Sequence, residues 1–154
     1  MRKLALLLAL AAPGMLAAQT FSLITGRVPV TSLDGLWRFH AGDNSAWASP
    51  SFDDSGWALI RGDRSWSTQG FANLDGFAWY RARIDIPAGQ KDLALFIPSI
   101  LTSYEVYADG RPLGGEGGMP PHAFPVSEFS PSAVYTLPGN ATTTARTETV
   151  AIRV

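Results

Sequence analysis

The residues between positions 62 and 76 include aromatic, amide and carboxylate side chains of the types that can contact a ligand. A sugar presents C–H groups that pack on a flat aromatic ring, and hydroxyls that hydrogen-bond to amide or carboxylate groups. The segment carries such groups on Trp66, Gln69, Asn73 and Asp75. Because long loops on a rigid scaffold often carry function, we predict a ligand site here. The alternative is a solvated loop with Trp66 folded onto one end of the domain.

Glu116 and His122 flank a glycine-rich and a Pro-Pro segment, and we include both in the predicted ligand site. A Glu–His pair can change its charge near neutral pH, because the ordinary imidazole pKa lies close to that range. The alternative for this pair is an ordinary surface contact. A second histidine, His40, falls within a predicted strand, where we expect it to have a partner inside the sheet.

The segment Asp53-Asp54-Ser55, with Asp43 nearby, offers the hard oxygen ligands that calcium prefers. The same residue types also form turns without an ion, since Asp and Ser side chains hydrogen-bond to the backbone two residues on. Trp57 would then fill the core beside the turn. We predict the turn and no metal or other cofactor, with calcium as the alternative.

The sequence contains none of the common catalytic motifs. We find no Gly-x-Ser-x-Gly, no phosphate-binding P-loop and no His-Glu-x-x-His, and the chain has no cysteine. The lack of cysteine also excludes disulfides and thiolate zinc sites, so the hydrophobic core alone must stabilise the fold. We therefore predict no catalytic residues and a domain that is not an enzyme by itself.

The first 18 residues have the features of a secretory signal peptide, with a basic start, a short apolar run and small residues before Ala18. The apolar run is too short to span a bilayer as a mature helix, although an uncleaved anchor is the alternative. We predict a signal peptide over 1–18, a lead-in segment over 19–31 and one domain over 32–154. The predicted location is periplasmic or extracellular, with no membrane insertion after cleavage.

Composition limits the classes of partner. The chain has 154 residues, of which 46% are hydrophobic and 16% charged, which is enough for one folded domain. Cleavage would remove Arg2 and Lys3 and leave 10 basic against 13 acidic residues, a net charge of about −3. With no basic patch, neither nucleic acid nor an anionic membrane surface is an expected partner.

The remaining sequence predicts short strands separated by turns, and no helix. In the longest, the apolar side chains share one face, while Arg81, Arg83 and Asp85 are expected to face solvent. Asp109-Gly110 predicts a tight hairpin, and the apolar run 92–97 predicts a central strand buried on both sides. This pattern is typical of a sandwich or barrel. The predicted strands are Phe21–Ile24, Leu36–Ala41, Trp57–Ile60, Phe77–Ile86, Asp92–Ile97, Ser103–Ala108, Ala123–Val126, Ala133–Leu137 and Thr149–Val154.

Four motifs in this order resemble the non-catalytic amino-terminal domain of family-two glycoside hydrolases. They are Leu33-Asp34-Gly35-Leu36-Trp37-Arg38-Phe39, Trp79-Tyr80-Arg81, Val106-Tyr107-Ala108-Asp109-Gly110, and Gly114-Gly115-Glu116-Gly117-Gly118 followed by Phe124-Pro125. The resemblance covers roughly residues 32 to 154. It implies an all-β jelly-roll β-sandwich of the galactose-binding-domain-like kind, which packs on a catalytic barrel that lies elsewhere.

Two further segments resemble the exported sensor region of bacterial signalling proteins. They are the runs 40–48 and 52–57, each containing a tryptophan beside acidic and small residues. Proteins of that kind carry a jelly roll ahead of membrane helices and a cytoplasmic serine phosphatase, histidine kinase or nucleotide cyclase. This resemblance implies an extracytoplasmic input domain whose output domain follows in the same polypeptide.

Together these observations predict a non-catalytic extracytoplasmic domain that binds a carbohydrate or another small ligand, or that acts as a sensory input domain. The alternatives are an accessory sugar-binding-like domain of an exported family-two glycoside hydrolase and a purely structural interaction domain. The final strand pattern runs up to Val154. We therefore expect a domain truncated at its C-terminus, whose partners include C-terminal domains of the same parent polypeptide.

Overall fold

The structure is a computed structural model, and it describes residues 20–22, 31–120, 131–139 and 143–154. In these ranges the chain forms β-strands and two short 3-10 helices, and no α-helix. The elements are β1 (Thr20–Ser22), β2 (Leu36–Ala41), η1 (Ser45–Ala48), β3 (Ala58–Arg61), η2 (Trp66–Gln69), β4 (Ala78–Ile86), β5 (Ala94–Ile97), β6 (Tyr104–Ala108), β7 (Arg111–Glu116), β8 (Ala133–Thr136) and β9 (Arg146–Arg153). None of the helices in these ranges is long and apolar enough to cross a membrane.

The strands form two sheets of unequal size. The larger sheet has seven strands, six of them in the order β3-β2-β4-β9-β6-β7, and all neighbours on that path are antiparallel. β1 runs parallel to the second half of β4, on the edge that β2 occupies along the first half. β5 and β8 form a separate two-stranded sheet. The predicted all-β jelly-roll β-sandwich is confirmed.

The main core lies between the two sheets. We call the face of the large sheet that packs on β5 and β8 its inner face, and the opposite face its outer face. The period-two alternation of β2 and β4 directs one set of apolar side chains inward, as the sequence predicts. The buried residues of this core are Trp37, Phe39, Ile60, Ala78, Ala82, Ile84, Ile86, Leu95, Ile97, Tyr104, Val106, Ala108, Tyr135, Leu137, Val150 and Val154.

The segment 42–57 covers the outer face of the large sheet. Trp47, Phe52 and Trp57 from this segment pack against Trp79 of β4 and form a second aromatic cluster. As a result, Arg81 is only 1% exposed, and the prediction that its side chain faces solvent is wrong. The physical reason is that a segment more than twenty residues away in sequence covers this part of the strand.

Two other predictions about strands need correction. The run 92–97 is expected to be buried on both sides, but β5 buries only Leu95 and Ile97, and Phe96 is 59% exposed. β7 is absent from the predicted strands because Pro112 and two glycines interrupt its pattern; an outermost strand tolerates such residues. The predicted hairpin at Asp109-Gly110 is confirmed, with φ of 46° and 79°. The predicted strand 123–126 and the predicted signal peptide lie outside the described residues.

Candidate functional site

Trp66 begins η2 in the loop between β3 and β4. The Ser65 side chain accepts a hydrogen bond from the Ser67 amide, and Gly70 ends the helix with a φ of 100°. This short helix places the Trp66 ring against Phe39 on the inner face of β2, with ring centroids 5.9 Å apart. Trp66 is therefore half-buried and packs on the sandwich, as in the alternative interpretation of the loop. Its role in ligand binding stays a prediction.

The Gln69 side chain fastens the start of this loop to β3. Its Oε1 accepts a hydrogen bond from the Arg61 amide at 2.7 Å, and its Nε2 donates to the Arg61 carbonyl at 3.0 Å. Nε2 also lies 3.2 Å from the carbonyl oxygen of Arg64 and 3.3 Å from that of Ser65. Both polar atoms of this amide therefore have backbone partners, so Gln69 holds the loop in place whether or not a ligand binds.

The other predicted site residues are divided between two places. Asn73 and Asp75 are exposed in the same loop as Trp66, just before β4. Glu116 ends β7, where it is half-buried and lies opposite Tyr104 of β6. The loop packs on β2, so β4, β9 and β6 lie between it and the strand of Glu116. His122 lies outside the described residues. Trp66, Gln69, Asn73 and Asp75 therefore share the loop between β3 and β4, whereas Glu116 lies on β7.

The Asp53-Asp54-Ser55 segment forms a turn and an ion pair. Asp53 Oδ1 accepts a hydrogen bond from the Ser55 amide at 3.0 Å, which is the turn that the sequence indicates. Asp54 is buried, and its two oxygens accept hydrogen bonds from Arg81 Nε at 2.8 Å and Arg83 Nη1 at 3.1 Å. In the described part of the chain, no group of three or more His, Cys, Asp or Glu residues is arranged to hold a metal ion.

Arg81 is held by more than its carboxylate partner. Its Nη1 donates to the carbonyl oxygens of Trp47 and Ser49, the latter at 3.0 Å. Its guanidinium carbon lies 5.7 Å from the centre of the Phe52 ring and 5.9 Å from that of Trp57. The pair thus anchors segment 42–57 to β4. Arg81 and Asp54 are 27 residues apart, and no local pattern in the sequence indicates that they form an ion pair.

A second polar network on the outer face is centred on Arg153, and we call it the Arg153 network. Arg153 of β9 donates to Asp43 at 2.8 and 2.5 Å and to Glu105 at 2.9 Å. Trp79 Nε1 donates to Asp43 at 3.2 Å, and the Tyr107 hydroxyl donates to Glu105 at 2.8 Å. Of these residues only Asp43 is a candidate ion ligand from the sequence, while Trp79 and Tyr107 belong to the motifs that indicate the fold.

The network shifts the pKa of several members, among them Asp43 and Tyr107. Burial acts to raise the pKa of Asp43, but the hydrogen bonds from Arg153 and Trp79 outweigh burial and lower that pKa below its ordinary value. Burial and the hydrogen bond to Glu105 raise the pKa of Tyr107 to about 12. Both residues therefore keep a fixed protonation state near neutral pH. Such groups can position a loop or accept a ligand hydroxyl, but they are not poised for proton transfer.

His40 does not have the environment that the sequence suggests. Its ring is exposed on the outer face, with ring centroids 4.7 Å from Trp47 and 5.2 Å from Trp57. Its Nδ1 lies 2.6 Å from the carbonyl oxygen of Ala41. The histidine therefore caps the outer aromatic cluster at its solvent side.

Comparisons with known proteins place the fold but not a family. No protein family and no curated protein matches this chain. Solved structures with the same fold include a β-glucuronidase from Bacteroides uniformis, with 23% identity and a TM-score of 0.60 over 80% of this chain. A β-glycosidase from Bacteroides vulgatus has 24% identity and a TM-score of 0.58 over 79% of the chain. A family-two glycoside hydrolase from Bacteroides cellulosilyticus has 23% identity and a TM-score of 0.59 over 80% of the chain.

The matched region is a small part of each of those proteins. It covers 14% of the Bacteroides uniformis chain, 16% of the Bacteroides vulgatus chain and 17% of the Bacteroides cellulosilyticus chain. At these identities the likeness is one of fold. It confirms the predicted resemblance to a domain of family-two glycoside hydrolases at that level, while the resemblance to exported sensor regions stays a prediction.

Proposed function

We propose that this chain is a non-catalytic β-sandwich domain of an exported glycosidase-like polypeptide, and that it packs against a catalytic domain of the same polypeptide. The observation that carries the proposal is an apolar patch on the face of the small sheet that points away from the large sheet. Phe96 of β5 and Val134 of β8 are register partners, so their side chains lie side by side on one face. They are 59% and 66% exposed, which is unusual for adjacent large apolar side chains.

Two other observations support a role as an accessory domain. The matched structures are glycosidases in which a region of this fold makes up less than a fifth of the chain. Within the Arg153 network the charged side chains form ion pairs with each other, and Arg81 and Asp54 form a separate ion pair. Groups that are already paired within the domain stabilise it and are poorly placed to act as a nucleophile or a general acid.

The proposal is tested in the complete polypeptide that the gene encodes, with Phe96→Glu and Val134→Glu introduced together. We expect the normal protein to unfold in one transition and the double variant to unfold in two, with faster proteolysis between the domains. Ala58→Glu, at an exposed position of β3, is the matched control and should unfold like the normal protein. An unchanged single transition in the double variant overturns the docking role.

A second candidate function is carbohydrate or other small-ligand recognition, either in a glycosidase or in a sensory protein. The observation that favours it is the exposure of Asn73 and Asp75 in the loop that carries Trp66. Calorimetric titration with a panel of neutral and acidic oligosaccharides tests it. Binding that is lost in Asn73→Ala and Asp75→Ala, but kept in Asp34→Ala, supports recognition by this loop. Absence of heat with every sugar in the panel contradicts it.

A further inference from the structure

Glu148 is a buried carboxylate with unusually few partners. It lies on the inner face of β9, opposite Ile84 of β4, and is only 2% exposed. Within the described residues its one hydrogen bond is from Arg146 Nη2 to Oε2 at 3.5 Å, the outer limit for such a contact. Its Oε1 has no partner among the described residues. Burying an ionised carboxylate in this way costs free energy unless its oxygens are hydrogen-bonded.

The charges around Glu148 do not stabilise its ionised form well. Arg146 reaches it with a single long contact, and the Nη1 atom of that arginine is also buried without a partner in the described part of the chain. Asp109, in the turn between β6 and β7, is fixed nearby by a hydrogen bond from the Thr149 amide at 2.8 Å and adds negative charge. From β4 the neighbour is the apolar Ile84.

The Arg81–Asp54 pair of the same domain shows the contrast. There, a buried carboxylate accepts two charge-assisted hydrogen bonds of 2.8 and 3.1 Å, one to each oxygen. From the described residues, Glu148 accepts one hydrogen bond, at 3.5 Å, and its other oxygen accepts none. Burial, and secondly the charge of Asp109, raise the pKa of Glu148, and Arg146 only partly offsets them. Protonation would remove the buried charge, and a neutral carboxyl group costs less free energy to bury than an ionised one.

We propose that Glu148 is a proton-binding site inside the sandwich that makes the packing of β9 pH-sensitive, tighter when the carboxyl is protonated and looser when it is ionised. The direction of this pH dependence follows from the linkage between proton binding and folding. A group that binds its proton more tightly in the folded state contributes stability that is fully present below its ordinary pKa of 4.5. That contribution is lost as the pH rises through the folded-state value. The inference is independent of the proposed docking role.

The test compares the normal protein with Glu148→Gln, which keeps the shape of the side chain and removes its charge. Thermal unfolding is measured from about pH 4.5 to about pH 8. A carboxyl group with a raised pKa changes protein stability within this range. We expect the melting temperature of the variant, relative to that of the normal protein, to increase as the pH rises from 4.5 to the folded-state pKa of Glu148, and to stay constant above it. Each unit by which the pKa is raised corresponds to a tenfold change in the folding constant. Asp75→Asn, which removes an exposed carboxylate, is the control.

A second measurement keeps the proposal testable if the glutamine variant does not fold. The side-chain carboxyl carbon of Glu148 is followed by NMR in the normal protein as the pH is changed. We expect a midpoint above 4.5, and a still higher midpoint in Arg146→Gln, because the one favourable cation is then absent. A midpoint at or below 4.5, or a difference in melting temperature that does not change with pH, overturns the proposal.

Discussion

The ion pair between Arg81 and Asp54 has the lowest exposure of any ion pair among the described residues. It joins the strand at the centre of the large sheet to the segment that covers the outer face. Taking both charges out of water is costly, and the guanidinium also contacts two backbone carbonyls and two aromatic rings. The structural consequence is asymmetric: removal of Asp54 leaves the buried Arg81 guanidinium without a carboxylate, whereas removal of Arg81 leaves Asp54 with Arg83 as a cationic partner.

Replacing Asp54 by alanine should therefore destabilise the domain strongly. Loss of one partner from a buried pair typically costs about 3–5 kcal/mol. Urea-induced unfolding followed by tryptophan fluorescence measures the change. Asp53→Asn is the control, because the neighbouring residue is exposed and asparagine can still accept the hydrogen bond from the Ser55 amide. Equal losses in the two variants would contradict the importance of the pair.

Asp43 should contribute a stability that is lost in acid. Its pKa in the folded state lies below the ordinary value of 3.8, because hydrogen bonds from Arg153 and Trp79 outweigh the effect of burial. The contribution is therefore present above 3.8 and disappears as the pH falls through the folded-state pKa. We expect the difference in melting temperature between the normal protein and Asp43→Asn to be constant at neutral pH and to shrink in strong acid. A difference that grows on acidification would be inconsistent with this sign.

The residues of the predicted loop show how far side-chain chemistry can be predicted from sequence. Asn73 and Asp75 are exposed, as a ligand site requires. Trp66 and Gln69 have the same chemical suitability, but their partners are Phe39 on β2 and the backbone of Arg61. Those partners are known only once the loop is folded over the sheet. Residue type therefore indicates what a side chain can bind, and tertiary contacts decide whether it is available.

At the scale of the elements, β7 depends on a close approach of two backbones. A Cβ atom on Gly115 would lie 2.2 Å from the carbonyl oxygen of Tyr104, a distance that no side chain can occupy. Gly115→Ala should therefore push β7 away from β6 and destabilise the domain by about 1–3 kcal/mol, the usual cost of overpacking. Thermal unfolding measures the loss.

The control for that variant is Gly56→Ala. A Cβ atom at Gly56 would have no neighbour within 4 Å, so a methyl group there meets open space. We expect a change of no more than about 0.5 kcal/mol, as is usual for surface substitutions. If Gly115→Ala unfolds like this control, the contact between β6 and β7 is looser than the structure indicates.

The strands themselves were predictable where local signals are strong. Alternation finds β2 and β4, and Asp109-Gly110 marks the β6–β7 hairpin. The nature of each face was less predictable, because it depends on what lies above it. Arg81 is covered by a distant segment and Phe96 is not covered by any described element, and no period in the sequence distinguishes the two cases.

At the scale of the whole molecule, the layers are unequal. The large sheet is covered on its inner face by the small sheet and the η2 loop, and on its outer face by segment 42–57. The described residues cover the small sheet on one side only, so its exposed apolar pair, Phe96 and Val134, is the surface that we expect to contact a neighbouring domain. The sequence pattern predicts the overall class of fold. The unequal covering of the two sheets depends on long-range packing, which the pattern does not show.

The position of β1 has a consequence for how the protein can be shortened. This strand lies within the segment 19–31, which is predicted from the sequence to lie outside the domain. In the structure it pairs with Arg83, Ile84 and Asp85 of β4. A version beginning at residue 32 would leave three residues of a central strand with an open backbone edge. Open edges recruit strands from other molecules. Such a version should self-associate in light scattering where one that retains residues 20–22 stays monodisperse.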